Sequence, residues 1–185
     1  MEPQNPWQII SEKEVYANPW ISVTEFNVIN PSGGNGIYGK VHFKNTAVGI
    51  LAMDDDLNIY LVGQFRFPVN SYSWEIPEGG APIGADPIEG ARRELQEETG
   101  LQAKEWHLLL TMHLSNSVSD ELALIYLAKG LTQHNSSPEE TEQLAIRKVS
   151  LNEAVNMVEE GTITDSMSVA AILKIKLLYT EGRLK

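Results

Sequence analysis

Three features of this 185-residue sequence predict an α/β fold. β-prone runs fill the chain from Trp7 to Phe65 and return between Trp106 and Val149, a strongly signalled helix sits between the two groups, and helical spacing takes over after Leu151. The composition, 42% hydrophobic and 21% charged, is that of an ordinary globular chain, and the length suits one main domain with a sizeable core.

Taken in order, Trp7 to Phe43 reads as short strands, with the turn cluster Asn30-Pro31-Ser32-Gly33-Gly34-Asn35-Gly36 between two β-prone runs, hence a small antiparallel sheet. Ala47 to Met53 and Leu57 to Phe65, joined across Asp54-Asp55-Asp56, form the signal for a second hairpin. Pro77 to Gly84 is rich in glycine and proline and reads as a loop. Asp86-Pro87-Ile88-Glu89 then has the form of a helix start: Asp accepts early backbone N–H groups, Pro suits the first position, and Glu completes a capping box. That helix runs to Thr99 and stops at Gly100, which suits a left-handed cap.

Strands follow at Trp106 to Met112, Leu122 to Ala128 and Ala145 to Val149. The middle one is apolar on both faces and so central. A polar loop, His113 to Glu121, separates the first two. Leu151, Ala154, Val155 and Val158 have helical spacing up to Gly161, and Asp165 caps a last helix carrying Ile172, Ile175 and Leu178.

The formal charge of −11 works against sequence-independent nucleic-acid binding, which demands a basic face. The absence of cysteine excludes disulfide scaffolds, thiolate metal sites and cysteine nucleophiles. The start, Met1-Glu2-Pro3-Gln4-Asn5, shows no signal-peptide pattern, and no apolar run approaches the roughly 20 residues of a membrane span. A cytoplasmic protein without membrane association is expected.

The chemistry concentrates in Arg92-Arg93-Glu94-Leu95-Gln96-Glu97-Glu98-Thr99-Gly100-Leu101. On a helix, Glu94, Glu97 and Glu98 stand at i, i+3 and i+4 and project from one face. Carboxylates so close repel unless a cation sits among them. Hard oxygen donors favour Mg²⁺ or Mn²⁺, and the absence of paired histidines and of cysteine argues against zinc. Arg93, four residues before Glu97, is placed to pair with it and hold one carboxylate while the others remain free. The plain alternative is a solvated acidic face. A glycine-rich turn feeding the same helix shifts the balance toward a metal-assisted site. Gly79-Gly80-Ala81-Pro82-Ile83-Gly84 has the glycine spacing of a Walker loop, but Ala85-Asp86 stand where Lys and Ser or Thr are required, so that reading fails.

From Gly79 to Leu101 the sequence resembles the Nudix box, G-x5-E-x7-R-E-U-x-E-E-x-G-U with U bulky and aliphatic, departing only at Ala85, where the pattern has its first Glu. Gly63-Gln64-Phe65-Arg66-Phe67 and Trp74-Glu75-Ile76-Pro77-Glu78-Gly79 are similar to segments of the ADP-ribose pyrophosphatase branch. So are the loop ending Ser119-Asp120-Glu121 and the tail from Leu151 to Asp165. The resemblance implies a mixed sheet sandwiched between helices over residues 44–185. It adds an N-terminal antiparallel sheet, residues 1–43, that helps build a homodimer.

It further implies Mg²⁺-assisted hydrolysis of a nucleoside diphosphate sugar of the ADP-ribose or GDP-mannose type. The products are a nucleoside monophosphate and a sugar phosphate. Glu94 and Glu98 map onto the principal metal ligands, Glu97 onto a further one, and Glu78 onto a position whose backbone carbonyl binds metal, so that its side chain need not matter. Glu121 maps onto a general base, with a solvated loop acid as the alternative. Arg66 is the candidate diphosphate contact or else a surface salt bridge. Glu75 meets a sugar hydroxyl or pairs across the dimer. Trp7, Trp20 and Phe26 either stack on the base or serve core and dimer contacts. The four histidines form no ligand pair and receive no role. ADP-ribose enzymes of the family carry a proline shortly after the box, where this chain has Asn116-Ser117, which leaves the sugar nucleotide open. Two other readings are a binding module that recognises a nucleotide sugar without cleaving it, motivated by Ala85, and an RNA-decapping or nucleotide-pool hydrolase, disfavoured by the acidic charge.

Overall fold

Alternating apolar positions between Gln8 and Phe43 produce three strands in the computed structural model, which describes residues 4–135 and 144–184. Met1-Glu2-Pro3, part of the start read above, lie outside the described residues. The strands β1 (Gln8–Ala17), β2 (Ile21–Ile29) and β3 (Asn35–Phe43) pair antiparallel in that order. Asn side chains make both turns: Asn18 Oδ1 accepts from the N–H groups of Trp20 and Ile21, and Asn30 Oδ1 from those of Ser32 and Gly34. Gly33, at φ +85°, supplies the left-handed residue the second turn needs. These strands and residues 113–121 form one compact unit; residues 46–112 and 122–185 form another.

The second unit holds two sheets. One has the order β7 (Glu78–Pro82), β4 (Asn45–Ala52), β9 (Leu122–Gln133), β8 (Leu101–His113). The other has the order β10 (Ala145–Ser150), β5 (Asn58–Arg66), β6 (Ser71–Glu75). β4 and β9 run parallel, from Ala47 opposite Ala123 to Ala52 opposite Ala128, whereas β5 is antiparallel to both its neighbours. β9 is central, as its two apolar faces require. Val48, Ile50, Ala52, Tyr126 and Ala128 pack with Ala91 and Leu95 of helix α1 (Pro87–Thr99). On the opposite pleat, a Cβ at Gly49 would touch Ile76, Ile125 and Met167, the last from α3 (Ser166–Thr180), so helices cover both faces.

The expected hairpin of Ala47–Met53 with Leu57–Phe65 does not form. β4 and β5 belong to different sheets and share only the bridge Met53–Ile59. β4 is flanked by β7 and β9, which leaves it no edge for β5. Asp54 redirects the chain, its carboxylate accepting from the N–H groups of Asp56 and Asn58 and pairing with Lys148. β7 also departs from expectation: Glu-Gly-Gly-Ala-Pro has little strand propensity, and pairing beside β4 imposes its conformation.

Helix α1 begins and ends where its caps place it. Asp86 accepts from Ile88 N–H at 3.2 Å, Pro87 opens the helix, and Gly100 at φ +71° donates to Gln96 O. Glu89 does not close the capping box; its carboxylate lies beside Arg92 at 3.4 Å. α2 (Leu151–Glu159) is capped by Ser150, and α3 by Asp165, which accepts from Ser168 N–H at 2.7 Å. Among the described residues no helix is long and apolar enough to cross a membrane.

Candidate active site

Arg66 ends β5, Glu75 ends the neighbouring β6, Glu78 opens β7, and Arg93, Glu94, Glu97 and Glu98 lie on α1, so four elements deliver the charged groups. Close approach of β7 to α1 depends on missing side chains. A Cβ on Gly79 would fall within the Glu94 carboxylate, and one on Gly90 would stand 2.7 Å from the Ala81 Cβ. The contact is then sealed by carboxylates accepting backbone N–H groups: Glu98 Oε2 from Glu78 at 3.1 Å and Glu94 Oε1 from Gly80 at 3.2 Å.

Arg93 bridges the helix and the glycine strand. Its Nη1 donates to Glu97 Oε2 at 2.7 Å, and its Nη2 to Glu94 Oε1 at 2.6 Å and Gly80 O at 3.0 Å. The Arg93–Glu97 pair is the one the spacing suggested, but Arg93 also takes Glu94, which is therefore not left free. Nor is this a solvated acidic face, since Glu98 is 2% exposed and the Glu94 side chain 13%.

The second charge cluster centres on Arg66, whose Nε and Nη2 donate to both oxygens of Glu75, while Nη2 also reaches Glu78 Oε1 at 2.6 Å. Burial opposes the guanidinium charge, but the Glu75 hydrogen bonds and the charges of Glu78 and Glu75 outweigh it and raise its pKa. Glu75 thus pairs with Arg66 of its own chain, and Arg66 is more than a surface ion pair because Glu75 is 3% exposed. Glu78, whose side chain need not matter on the sequence reading, is 12% exposed and paired through Oε1. Its carboxyl is held well above the usual range by burial and by the nearby charges of Asp165 and Glu75, against the pull of Arg66. Burial also raises Glu94, with Arg93 and the Gly80 N–H opposing. Asp165 joins this field although its sequence context marks only a helix cap; no local signal reports a charge that the fold brings beside Glu78.

A divalent cation fits the donor chemistry. Glu78 Oε2 is the one buried side-chain polar atom without a hydrogen-bond partner among the described residues, and the surrounding donors are hard carboxylate oxygens under mutual repulsion. Among the described residues no three acidic or histidine side chains are already gathered as a metal site, and Arg93 supplies the positive charge between Glu94 and Glu97.

The remaining candidates lie in the N-terminal unit. Trp7 and Phe26 line a cavity of about 370 Å³ with Val28, Tyr38, Lys40 and Val118, Trp7 meeting Tyr38 edge-on at 5.3 Å between centroids. Trp20 is 67% exposed and does not line it. Glu121 closes the loop after His113, its carboxyl raised by burial.

Comparison with known proteins agrees with this architecture. The NUDIX domain family matches residues 43–168, and the nucleoside diphosphate sugar hydrolase N-terminal domain matches residues 7–41. An ADP-ribose pyrophosphatase of Mycobacterium tuberculosis is 31% identical over 96% of this chain and 86% of its own. An ADP-ribose pyrophosphatase of Bacillus subtilis and a methanol dehydrogenase activator of Bacillus methanolicus are each 33% identical over 71% of this chain and 72% of theirs. The crystal structure of an ADP compounds hydrolase superposes with a TM-score of 0.86 at 21% identity, covering all of both chains, and so shares the fold. Glycine strand, acidic helix and flanking sheets all converge on one conclusion: the chain belongs to the Nudix hydrolase family, close to its ADP-ribose pyrophosphatase and nucleoside diphosphate sugar hydrolase branch.

Proposed function

We propose that this Nudix hydrolase, an enzyme acting on phosphoanhydrides, cleaves the pyrophosphate of a nucleoside diphosphate sugar. The observation that carries the reading is the pair of carboxylates, Glu94 and Glu98, fixed to the backbone of Gly80 and Glu78. Acidic groups are thereby preorganised along the glycine strand. The M. tuberculosis and B. subtilis relatives named as ADP-ribose pyrophosphatases support the substrate class.

Glu94, Glu97 and Glu98, with the Glu78 backbone carbonyl, would hold Mg²⁺ or Mn²⁺. When bound, the cation supplies charge neutralisation at the diphosphate and a lowered pKa for water. Arg93 orients Glu97 and Glu94. Glu121 accepts the proton of the attacking water, whose oxygen bonds to phosphorus as the bridging P–O bond breaks and its electron pair leaves with the departing phosphate. Arg66, aligned by Glu75, contacts the diphosphate. Trp7 and Phe26, which share a cavity, stack on the base, Trp20 outside it serves dimer contacts, and the N-terminal sheet, residues 1–43, helps build a homodimer.

The test is product analysis with ADP-ribose, GDP-mannose, UDP-glucose and a nucleoside triphosphate, each with and without Mg²⁺, beside Glu98→Gln. Monophosphate and sugar phosphate formed only with metal, and lost in Glu98→Gln by about 10²-fold or more, support the reading. Wild-type turnover by Glu98→Gln sinks it. Ala85, where the box has Glu, favours a second reading, a nucleotide-sugar sensor, for which saturable binding without any product is the signature.

A further inference from the structure

The loop carrying Glu121 is held from two sides. At its neck Leu114 N–H donates to Glu121 O at 3.3 Å, and within it the N–H groups of Val118 and Ser119 both donate to Ser115 O. Its outer side runs along β3, where Val41 N–H donates to Val118 O at 2.8 Å, Asp120 N–H donates to Val41 O at 3.2 Å, and the Tyr38 hydroxyl donates to Ser117 O.

The last grip is on the Asp120 side chain. Oδ1 accepts from Phe43 N–H at 3.1 Å, and Oδ2 lies 2.7 Å from His42 Nδ1 and 3.4 Å from Lys40 Nζ. Burial works against this carboxylate, yet His42, the Phe43 N–H and Lys40 hold its pKa below the usual range. Across β2, His42 stands opposite Ser22, Lys40 opposite Thr24, and Gly39 opposite Glu25, so the titratable groups at the clasp itself are His42, Lys40 and Asp120.

These side chains are 37 to 43% exposed, and exposed ion pairs add little to global stability. Their effect is positional. With Asp120 fixed at its N–H and both carboxylate oxygens, and Glu121 fixed at its carbonyl, the peptide joining them has lost its freedom.

We infer that His42 is a positioning residue for Glu121: by clasping Asp120 onto β3 it fixes the loop that carries this general base. This rests on the reading of Glu121 as the base. No charge on His42 is required, because a neutral imidazole in the tautomer with Nδ1–H also donates to Asp120.

The experiment uses the full chain as wild type, His42→Ala, His42→Gln and Glu121→Gln, with steady-state hydrolysis of the preferred sugar nucleotide and amide hydrogen exchange. His42→Ala should lower kcat about tenfold with KM unchanged, as expected for a misplaced catalytic group. The amides of Phe43 and Asp120 should lose protection while those pairing β2 with β3 keep it, which also shows that the sheet is folded. The acid limb of kcat against pH should move toward the ordinary carboxylate range as the freed Glu121 gains water. His42→Gln, which keeps a donor, should recover most of kcat. Unchanged kcat in His42→Ala alongside an inactive Glu121→Gln overturns the inference alone, as does unchanged protection of Phe43 and Asp120. Wild-type kcat in Glu121→Gln overturns the assignment of the base and the inference with it.

Discussion

Replacing Arg66 by alanine strips the counterion from Glu75 and Glu78 while leaving both in place. Glu75 is 3% and Glu78 12% exposed, so water can screen neither well. Removing one member of a fully buried pair costs about 3–5 kcal/mol, and the 36% exposure of the Arg66 side chain reduces that here to about 2–3 kcal/mol. For a chain of this length that is a fall in Tm of roughly 5–10 °C.

The loss must also depend on pH. The Glu78 carboxyl is already raised in the folded protein, so between its ordinary and folded values the native state binds more protons than the unfolded state. Stability therefore drops as pH rises through that window, and Arg66 limits the drop. Without Arg66 the window extends upward, and the deficit of the variant grows from acid toward neutral and alkaline pH.

Thermal or urea unfolding in EDTA at about pH 5 and about pH 8 reads both effects, with EDTA removing any cation that would stand in for the guanidinium. Adding Glu78→Gln to Arg66→Ala should recover part of the stability at the higher pH. A deficit that is absent at pH 8, or larger in acid, would refute the charge argument.

Two further outcomes follow from the glycines. Gly79→Ala pushes the flexible Glu94 carboxylate off Gly80 N–H, so turnover should fall roughly 10–100-fold while Tm barely moves; steady-state assay beside thermal unfolding separates the two, and unaltered turnover contradicts the close approach. Gly90→Ala sets a methyl 2.7 Å from the Ala81 Cβ and 3.2 Å from its Cα, an overpacking of about 1–3 kcal/mol against a helix-propensity gain of about 1 kcal/mol. A net fall in Tm of a few degrees is expected, and a rise would mean that β7 yields more readily than its place beside β4 suggests.

What the sequence revealed was local. Asp86, Pro87 and Gly100 bound α1 because caps act over a few residues, and the i, i+4 spacing of Arg93 and Glu97 is likewise written along the helix. What it concealed was partnership between distant segments. The run Ala47–Met53 has the same alternation whether its neighbour is β5 or β9, so a hairpin looked natural where a parallel pairing forms. Glu-Gly-Gly-Ala-Pro gave no hint of a strand because β4 imposes it. Arg66, Glu75 and Glu78 were each recognisable, yet the β5–β6 register sets Arg66 opposite Ser71 and Glu75 opposite Val62, and only the side-chain contacts reveal that they neutralise one another.

The parallel pairing of β4 with β9 also governs how this protein is made. Helix α1 and the glycine strand β7 are neighbours in sequence and can dock as soon as both leave the ribosome, whereas Ala47 waits for Ala123. Until β9 is made the apolar stretch Val48–Ala52 has no partner on that side, and contacts so distant along the chain are slow to close. This nascent strand is therefore the segment most open to wrong partners, and the one for which chaperone binding during translation should matter most.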